Sequence, residues 1–213
     1  MANRVNYAKE MDKVLAGLGQ TRPRLLLHAC CAPCSSGTLP QLEEYFDITV
    51  LYYNPNIDPP QEYHRREGEL ESFLEASGRR GIPVVELPYD PQEFYQAVKG
   101  LEQEPERGRR CTVCYRLRME QAARYAAEHG FDWFTTTLSI SPLKDPVRIN
   151  EIGTELEKEY GVKHLPSEFR KRDGYKHSLE ESARYNLYRQ DYCGCVYSRL
   201  EREKQAAAKK EEG

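Results

Sequence analysis

Seven cysteines in three tight clusters constrain this chain more than any other feature. They read Cys30-Cys31 with Cys34, then Cys111-Thr-Val-Cys114, then Cys193-Gly-Cys195. The clusters stand near the start, middle and end of a 213-residue chain. A fold that brings them together builds one thiolate-lined site from three remote segments. The length suffices for one domain with its own core. No long apolar run and no amino-terminal apolar segment interrupt a composition that is 39% apolar and 31% charged. The chain therefore reads as cytoplasmic. There disulfides are rare, and clustered cysteines bind metal or do redox work. The odd count also argues against a purely structural disulfide set.

Strand-like and helix-like stretches alternate along the chain. RLLLHA (24–29) reads as a buried strand that delivers Cys30 and Cys31 at its carboxyl end. ITVLYYN (48–54), IPVVEL (82–87), FDWFTTT (131–137) and VKHLP (162–166) read as four more. Helices are expected at 35–45, from Pro60 to Gly78, over 92–98, from Cys111 to Gly130, over 147–160 and over 178–188. Residues 99–110 and the basic stretch 169–177 read as loops. The alternation predicts an α/β fold: a mainly parallel, Rossmann-like sheet flanked by helices, with the cysteine-rich metal site at strand carboxyl ends. Residues 1–198 are read as a single α/β catalytic domain and 199–213 as a charged, fraying helical tail.

The clusters permit specific chemistry. Cys111 and Cys114 at i, i+3 put both sulfurs on one helix face, where the helix amino terminus and nearby arginines favour thiolate. Cys193 and Cys195 at i, i+2 aim one way if the segment is extended, and Gly194 permits a close approach. Cys30 and Cys31 diverge as neighbours on a strand, so they suit two corners of a cluster or two adjacent centres. Seven ligands exceed one zinc site. Four thiolates suit an iron–sulfur cluster, and three remain for a second metal or a redox dithiol. No GxGxxG, P-loop or HExxH motif competes.

At LLLHACCAPC, LYYNPNI with EYHRR, RRCTVCYRLR, FTTTLSISPLK and YRQDYCGCVYS, in that order, the chain resembles the epoxyqueuosine reductases of the QueH family over residues 24–198. The resemblance implies an oxidoreductase of tRNA queuosine biosynthesis, dependent on iron–sulfur and independent of cobalamin. It removes the epoxide oxygen of epoxyqueuosine at the anticodon wobble position with two electrons. Some relatives carry Asp where this chain has Cys34. It further implies a [4Fe–4S] cluster, a second mononuclear metal (iron or zinc) or a redox-active dithiol, tRNA as substrate, and an electron donor such as ferredoxin or flavodoxin. On this reading Cys30, Cys31, Cys111 and Cys114 hold the cluster. Cys34, Cys193 and Cys195 form the catalytic second site, and all seven are metal-ligand candidates. The basic stretches 107–118 and 170–177 are expected to touch tRNA.

Lesser candidates are Tyr52, Tyr53, Asn54 and Asn56 as pocket lining; Ser139 and Ser141 as phosphate ligands or caps; Arg189 and Gln190 beside the last pair; and His28, Tyr115 and Asp191 as acids. Two other readings compete: a zinc-binding RNA-interaction domain, and a tRNA thiolase on an ATP-pyrophosphatase-like fold. The first leaves Cys30, Cys31 and Cys34 unexplained. The second lacks its phosphate loop after the first strand.

Overall fold

In the first strand, β1 (Arg24–Ala29), every residue from Leu25 to Ala29 is fully buried on both faces. Such a strand belongs at the centre of a sheet covered on both sides. The computed structural model, which describes residues 5–211, has it there. β2 (Asp47–Tyr52) pairs on one side of β1 and β4 (Trp133–Thr136) on the other. β3 (Val84–Glu86) and β5 (Lys163–His164) close the edges, giving the order β3-β2-β1-β4-β5. All four pairings are parallel. The expected α/β sheet is therefore present.

The two faces have separate cores. Leu25, Leu27, Val50 and Tyr52 pack with Leu70, Phe73 and Leu74 of helix α3 (Pro60–Ala76) and with Met11 and Leu15 of α1 (Tyr7–Gly17). Leu26, Leu51 and Phe134 pack with Met119, Ala122 and Ala126 of α5 (Arg109–Glu128) and with Ile149, Ile152 and Leu156 of α6 (Pro146–Tyr160). The remaining helices are α2 (Ala32–Thr38), α4 (Pro91–Ala97), α7 (Gly174–Arg184) and α8 (Val196–Glu211).

Strand order reverses between β1 and β4, because the chain runs outward through β2 and β3 before returning. The carboxyl ends of those two strands therefore flank a crevice, the usual place for a site in an open parallel sheet.

The largest departures from the sequence reading fall in three elements. The second helix starts at Ala32 rather than 35 and gives way to a short 3-10 turn over Leu39–Gln41, since Pro40 has no amide hydrogen to continue an α-helical ladder. The stretch 169–177 is not all loop: Asp173 takes φ 61° and α7 begins at Gly174, ending at Arg184 rather than 188. Helix α1, in a polar segment with no strand or helix assigned to it, is capped by the Asn6 side chain and held by Ala8, Met11 and Leu15. The charged tail continues α8, whose first residue follows Cys195 directly. Its residues 212–213 lie outside the described ones.

Candidate metal centre

All seven cysteines are free thiols. Cys30 leaves the end of β1. Cys31 is extended (φ −175°, ψ 164°) as the N-cap of α2, and Cys34 lies one turn further on. The switch from strand to helix within two residues swings the vicinal side chains to one side. The Sγ atoms of Cys30 and Cys31 stand 3.8 Å apart, and those of Cys30, Cys31 and Cys34 all lie within 4.8 Å of one another. The expected divergence of the vicinal pair is therefore overturned. Hydrogen bonds from Cys31 and Cys34 hold the Cys30 thiol well below its usual range, and sharing that proton network pushes Cys31 and Cys34 up. Thr137, at the end of β4, reaches across the crevice to within 3.4 Å of the Cys30 amide nitrogen.

The other four cysteines line one narrow chamber with Phe94, Glu106, Arg110, Tyr115 and Ser198. Cys111 and Cys114 stand in the first turns of α5, as their spacing requires. Cys193 and Cys195 reach them from the chain end, with Gly194 between at φ 117°. Thiolate is not favoured at the α5 pair, contrary to expectation. Burial pushes Cys111 up and Cys114 up to about 11. Arg110, one of the arginines expected to help, bonds the Glu102 carbonyl and covers Tyr197, and its pull on Cys111 does not offset burial. Burial likewise raises Cys195 to about 12. Cys193 is the exception. Its burial is more than offset by the buried Lys144, whose Nζ donates to its sulfur at 2.8 Å, and by Arg118.

Cys193 and Glu106 also border a larger cavity of about 260 Å³. Cys30, Cys31 and Cys34 line its floor; Lys144, Arg66, Tyr175, Arg189, Gln190 and Asp191 line its walls. The three remote clusters thus meet around two adjoining spaces. Lys144 and Arg66 were not singled out from the sequence, although both lie in quoted motifs, SPLK and EYHRR. Arg66 is 2% exposed, pairs with Glu62 at 2.6 Å and donates to the Cys193 carbonyl at 3.3 Å.

Several lesser candidates are occupied elsewhere. His28 donates from Nε2 to the Tyr53 carbonyl and accepts at Nδ1 from Thr136, while burial holds it down to about 4, so it is a neutral structural imidazole. Ser139 bonds Ser167. Tyr52 donates to the Tyr63 carbonyl, Tyr53 pairs with Glu93, and Asn54 Nδ2 donates to the Ala29 carbonyl. Asn56 is buried, with no partner for its side-chain amide among the described residues. Ser141, Gln190 and Asp191 do border the large cavity, and Tyr115 the small chamber.

Of the basic stretches, Arg116 is taken by Glu120, Glu155 and Glu159, and Arg118 is buried. Arg170 pairs with Glu168 and Arg172 with Asp12. Arg107, Arg109 and Lys171 are exposed and form no ion pair among the described residues. No helix of those residues is long and apolar enough to cross a membrane.

The donor sets can be tested against the implied groups. Bonds near 2.3 Å from a tetrahedral metal separate two thiolates by about 3.8 Å, the Cys30–Cys31 spacing. The trio thus suits a single ion with one position open toward the cavity. No three sulfurs of the other set lie within 4.8 Å of one another among the described residues. Four more widely spread thiolates suit a polynuclear iron–sulfur cluster.

Residues 25–201 match the family described as epoxyqueuosine reductase QueH. Relatives described by the same words include one from Streptococcus pyogenes serotype M1, 43% identical over 200 residues, covering 92% of this chain and 78% of the relative. One from Staphylococcus epidermidis is 42% identical (92% and 86%), and one from Thermotoga maritima is 36% identical (89% and 97%). Among solved structures, the U34-tRNA thiolase NcsA from Methanococcus maripaludis with its [4Fe-4S] cluster is 17% identical, with a TM-score of 0.49 over 89% of this chain and 67% of that one. The matched span contains all seven cysteines of both thiol sets, and the chain belongs to the QueH epoxyqueuosine reductase family.

Proposed function

We propose that this chain reduces epoxyqueuosine to queuosine in the anticodon of tRNA. The observation that carries the reading is the convergence of seven thiols around two adjoining spaces at the β1/β4 switch point, in a chain that matches the family from end to end of its core. The overall step consumes two electrons and two protons, converts the epoxide to an alkene and releases water. The grouping of sulfurs favours Cys111, Cys114, Cys193 and Cys195 as cluster ligands and Cys30, Cys31 and Cys34 as ligands of the second metal. The resemblance implies another division, with Cys30, Cys31, Cys111 and Cys114 on the cluster and Cys34, Cys193 and Cys195 at the second site. When bound, the cluster supplies electrons singly, and a metal with an open position polarises an epoxide oxygen. A one-electron donor of the ferredoxin or flavodoxin class is the partner this chemistry requires.

The chain's own residues shape the rest. The cavity takes a protruding nucleoside rather than a duplex. Tyr175 and Arg189, 5.8 Å apart, offer a face for a base. Gln190 Nε2 is buried at the cavity wall without a partner among the described residues and can donate to a hydroxyl of the cyclopentane ring. Arg107 and Arg109, adjoining Glu106 at the rim, suit backbone phosphates.

The test is anaerobic reconstitution, iron and sulfide analysis, and incubation with a reductant and tRNA that carries epoxyqueuosine, followed by nucleoside mass spectrometry. Loss of the epoxide oxygen with a loaded enzyme supports the reading. A protein that binds zinc alone, with no sulfide and unchanged nucleoside, refutes it.

A further inference from the structure

Arg118 is 1% exposed, so it cannot serve the tRNA contact expected of its stretch. No carboxylate forms an ion pair with it among the described residues. A lone buried guanidinium is costly unless opposite charge stands nearby. Its hydrogen bonds show what it is built against. Nε donates to the Cys114 carbonyl at 3.3 Å and Nη1 to Asn54 Oδ1 at 3.5 Å. Asn54 in turn donates to the carbonyl of Ala29, at 2.9 Å, the residue before Cys30. One arginine therefore ties the α5 cysteines to the β1 cysteines through a two-step polar chain. Its Nη2 is buried with no hydrogen-bond partner among the described residues. Burial works against its charge, and the cysteines nearest it, Cys114, Cys193 and Cys30, come from both sets and favour it.

We propose that Arg118 is a positioning residue for electron transfer: its buried guanidinium is a fixed counter-charge between the two thiolate sets, and it raises the reduction potential of the cluster. The inference rests on the iron–sulfur reading above. Reduction adds negative charge to a thiolate-bound centre. A fixed cation in a low-dielectric interior favours that form. Arg66 is less suited to the part, because Glu62 neutralises it.

The experiment compares wild type, Arg118→Met and Arg118→Lys, each reconstituted anaerobically, by iron and sulfide content and by a redox titration followed by electron paramagnetic resonance without substrate. Arg118→Met is expected to load the cluster but to shift its midpoint negative. At a fixed potential the reduced-to-oxidised ratio should fall at least about tenfold, about 59 mV for a one-electron couple. Arg118→Lys keeps the charge and should keep most of the potential. A loaded Met variant with an unshifted midpoint overturns the proposal. If the Met variant does not load, the Lys variant decides: loading with a near-wild-type midpoint sustains the counter-charge role. A Lys variant that stays empty, or loads with a shifted midpoint, assigns Arg118 to folding and overturns it. A wild-type chain that takes up no iron and sulfide is a separate result, and it defeats the functional reading instead.

Discussion

Lys144 Nζ stands 2.8 Å from Cys193 Sγ, which joins the connection after β4 to the carboxyl-terminal cysteine pair. Cys193 borders both the cavity and the small chamber, so this contact sits at the meeting point of the two thiol sets. Burial alone would raise the thiol; the ammonium and Arg118 reverse that. In the metal-free chain the Cys193 thiolate should therefore persist to lower pH than an ordinary cysteine. Lys144→Met is expected to move the pH profile of Cys193 alkylation upward and to slow the reaction at pH 7 about tenfold, one pKa unit. Site-resolved mass spectrometry of iodoacetamide labelling reads this. An unmoved profile would mean that the contact does not set the thiolate.

Serine substitutions should separate the two sets by stoichiometry. Cys30→Ser, Cys31→Ser or Cys34→Ser is expected to remove one metal ion while sulfide and visible colour remain. Substitution at Cys111, Cys114 or Cys195 should remove sulfide and colour together. If the trio variants lose sulfide first, the cluster sits on the trio and the division proposed above is reversed.

Exposed arginines at the rim make a salt-dependence prediction. The double variant Arg107→Ala/Arg109→Ala should weaken tRNA binding uniformly and flatten the log–log salt slope by about 1 to 2. Arg116→Ala serves as the control, since three glutamates already occupy that side chain. Equal losses from the double variant and the control would remove the rim from the binding surface.

His164 carries a pH dependence of stability. Burial alone pulls it down to about 3, and its Nε2 has no partner among the described residues. The folded-state value lies below the unfolded one, so the unfolded chain binds the proton first. The associated stability is complete above about pH 6.5 and is lost as pH falls toward 3, about 2 kcal/mol by pH 5. His164→Phe should shrink the difference in unfolding free energy between pH 7.5 and 5 by about that amount. Parallel urea curves for both proteins at both pH values would show that His164 does not contribute.

Gly37 lets α2 approach α7 closely. A Cβ there would come 2.5 Å from Ile140 Cδ1 and 2.6 Å from the Gly174 carbonyl oxygen. Gly37→Ala is expected to cost about 1–3 kcal/mol and to lower metal occupancy at Cys34, which shares the helix. Chemical denaturation and metal analysis check both. Full stability with full occupancy would mean the helices have room to yield.

Much of the frame was legible locally. A run of five fully buried residues in β1, prolines at the starts of α3, α4 and α6, and a capping aspartate before α4 and α6 are short-range signals, and the elements lie close to where those signals put them. The α2 and α7 boundaries were missed because a proline ladder break and a positive φ at Asp173 outweighed composition. The polar α1 was missed because only Ala8, Met11 and Leu15 of its eleven residues are buried, with Val14 half-buried beside them.

The identity of the seven thiols and their grouping into three clusters are properties of the sequence, since spacing within each cluster is covalent and local. Which sulfur faces which is not. The convergence of Cys30 with Cys31 depends on a backbone that changes from strand to helix in two residues. The meeting of Cys193 with Lys144 depends on the packing of segments 49 positions apart. The same holds for charge: Arg116 and Arg118 are near neighbours in a basic run, yet one lies among glutamates at the surface and the other among thiols in the core. Helical periodicity points them to different sides. Only the packed sheet beneath α5 decides which side is dry, and therefore which charge the metal site feels.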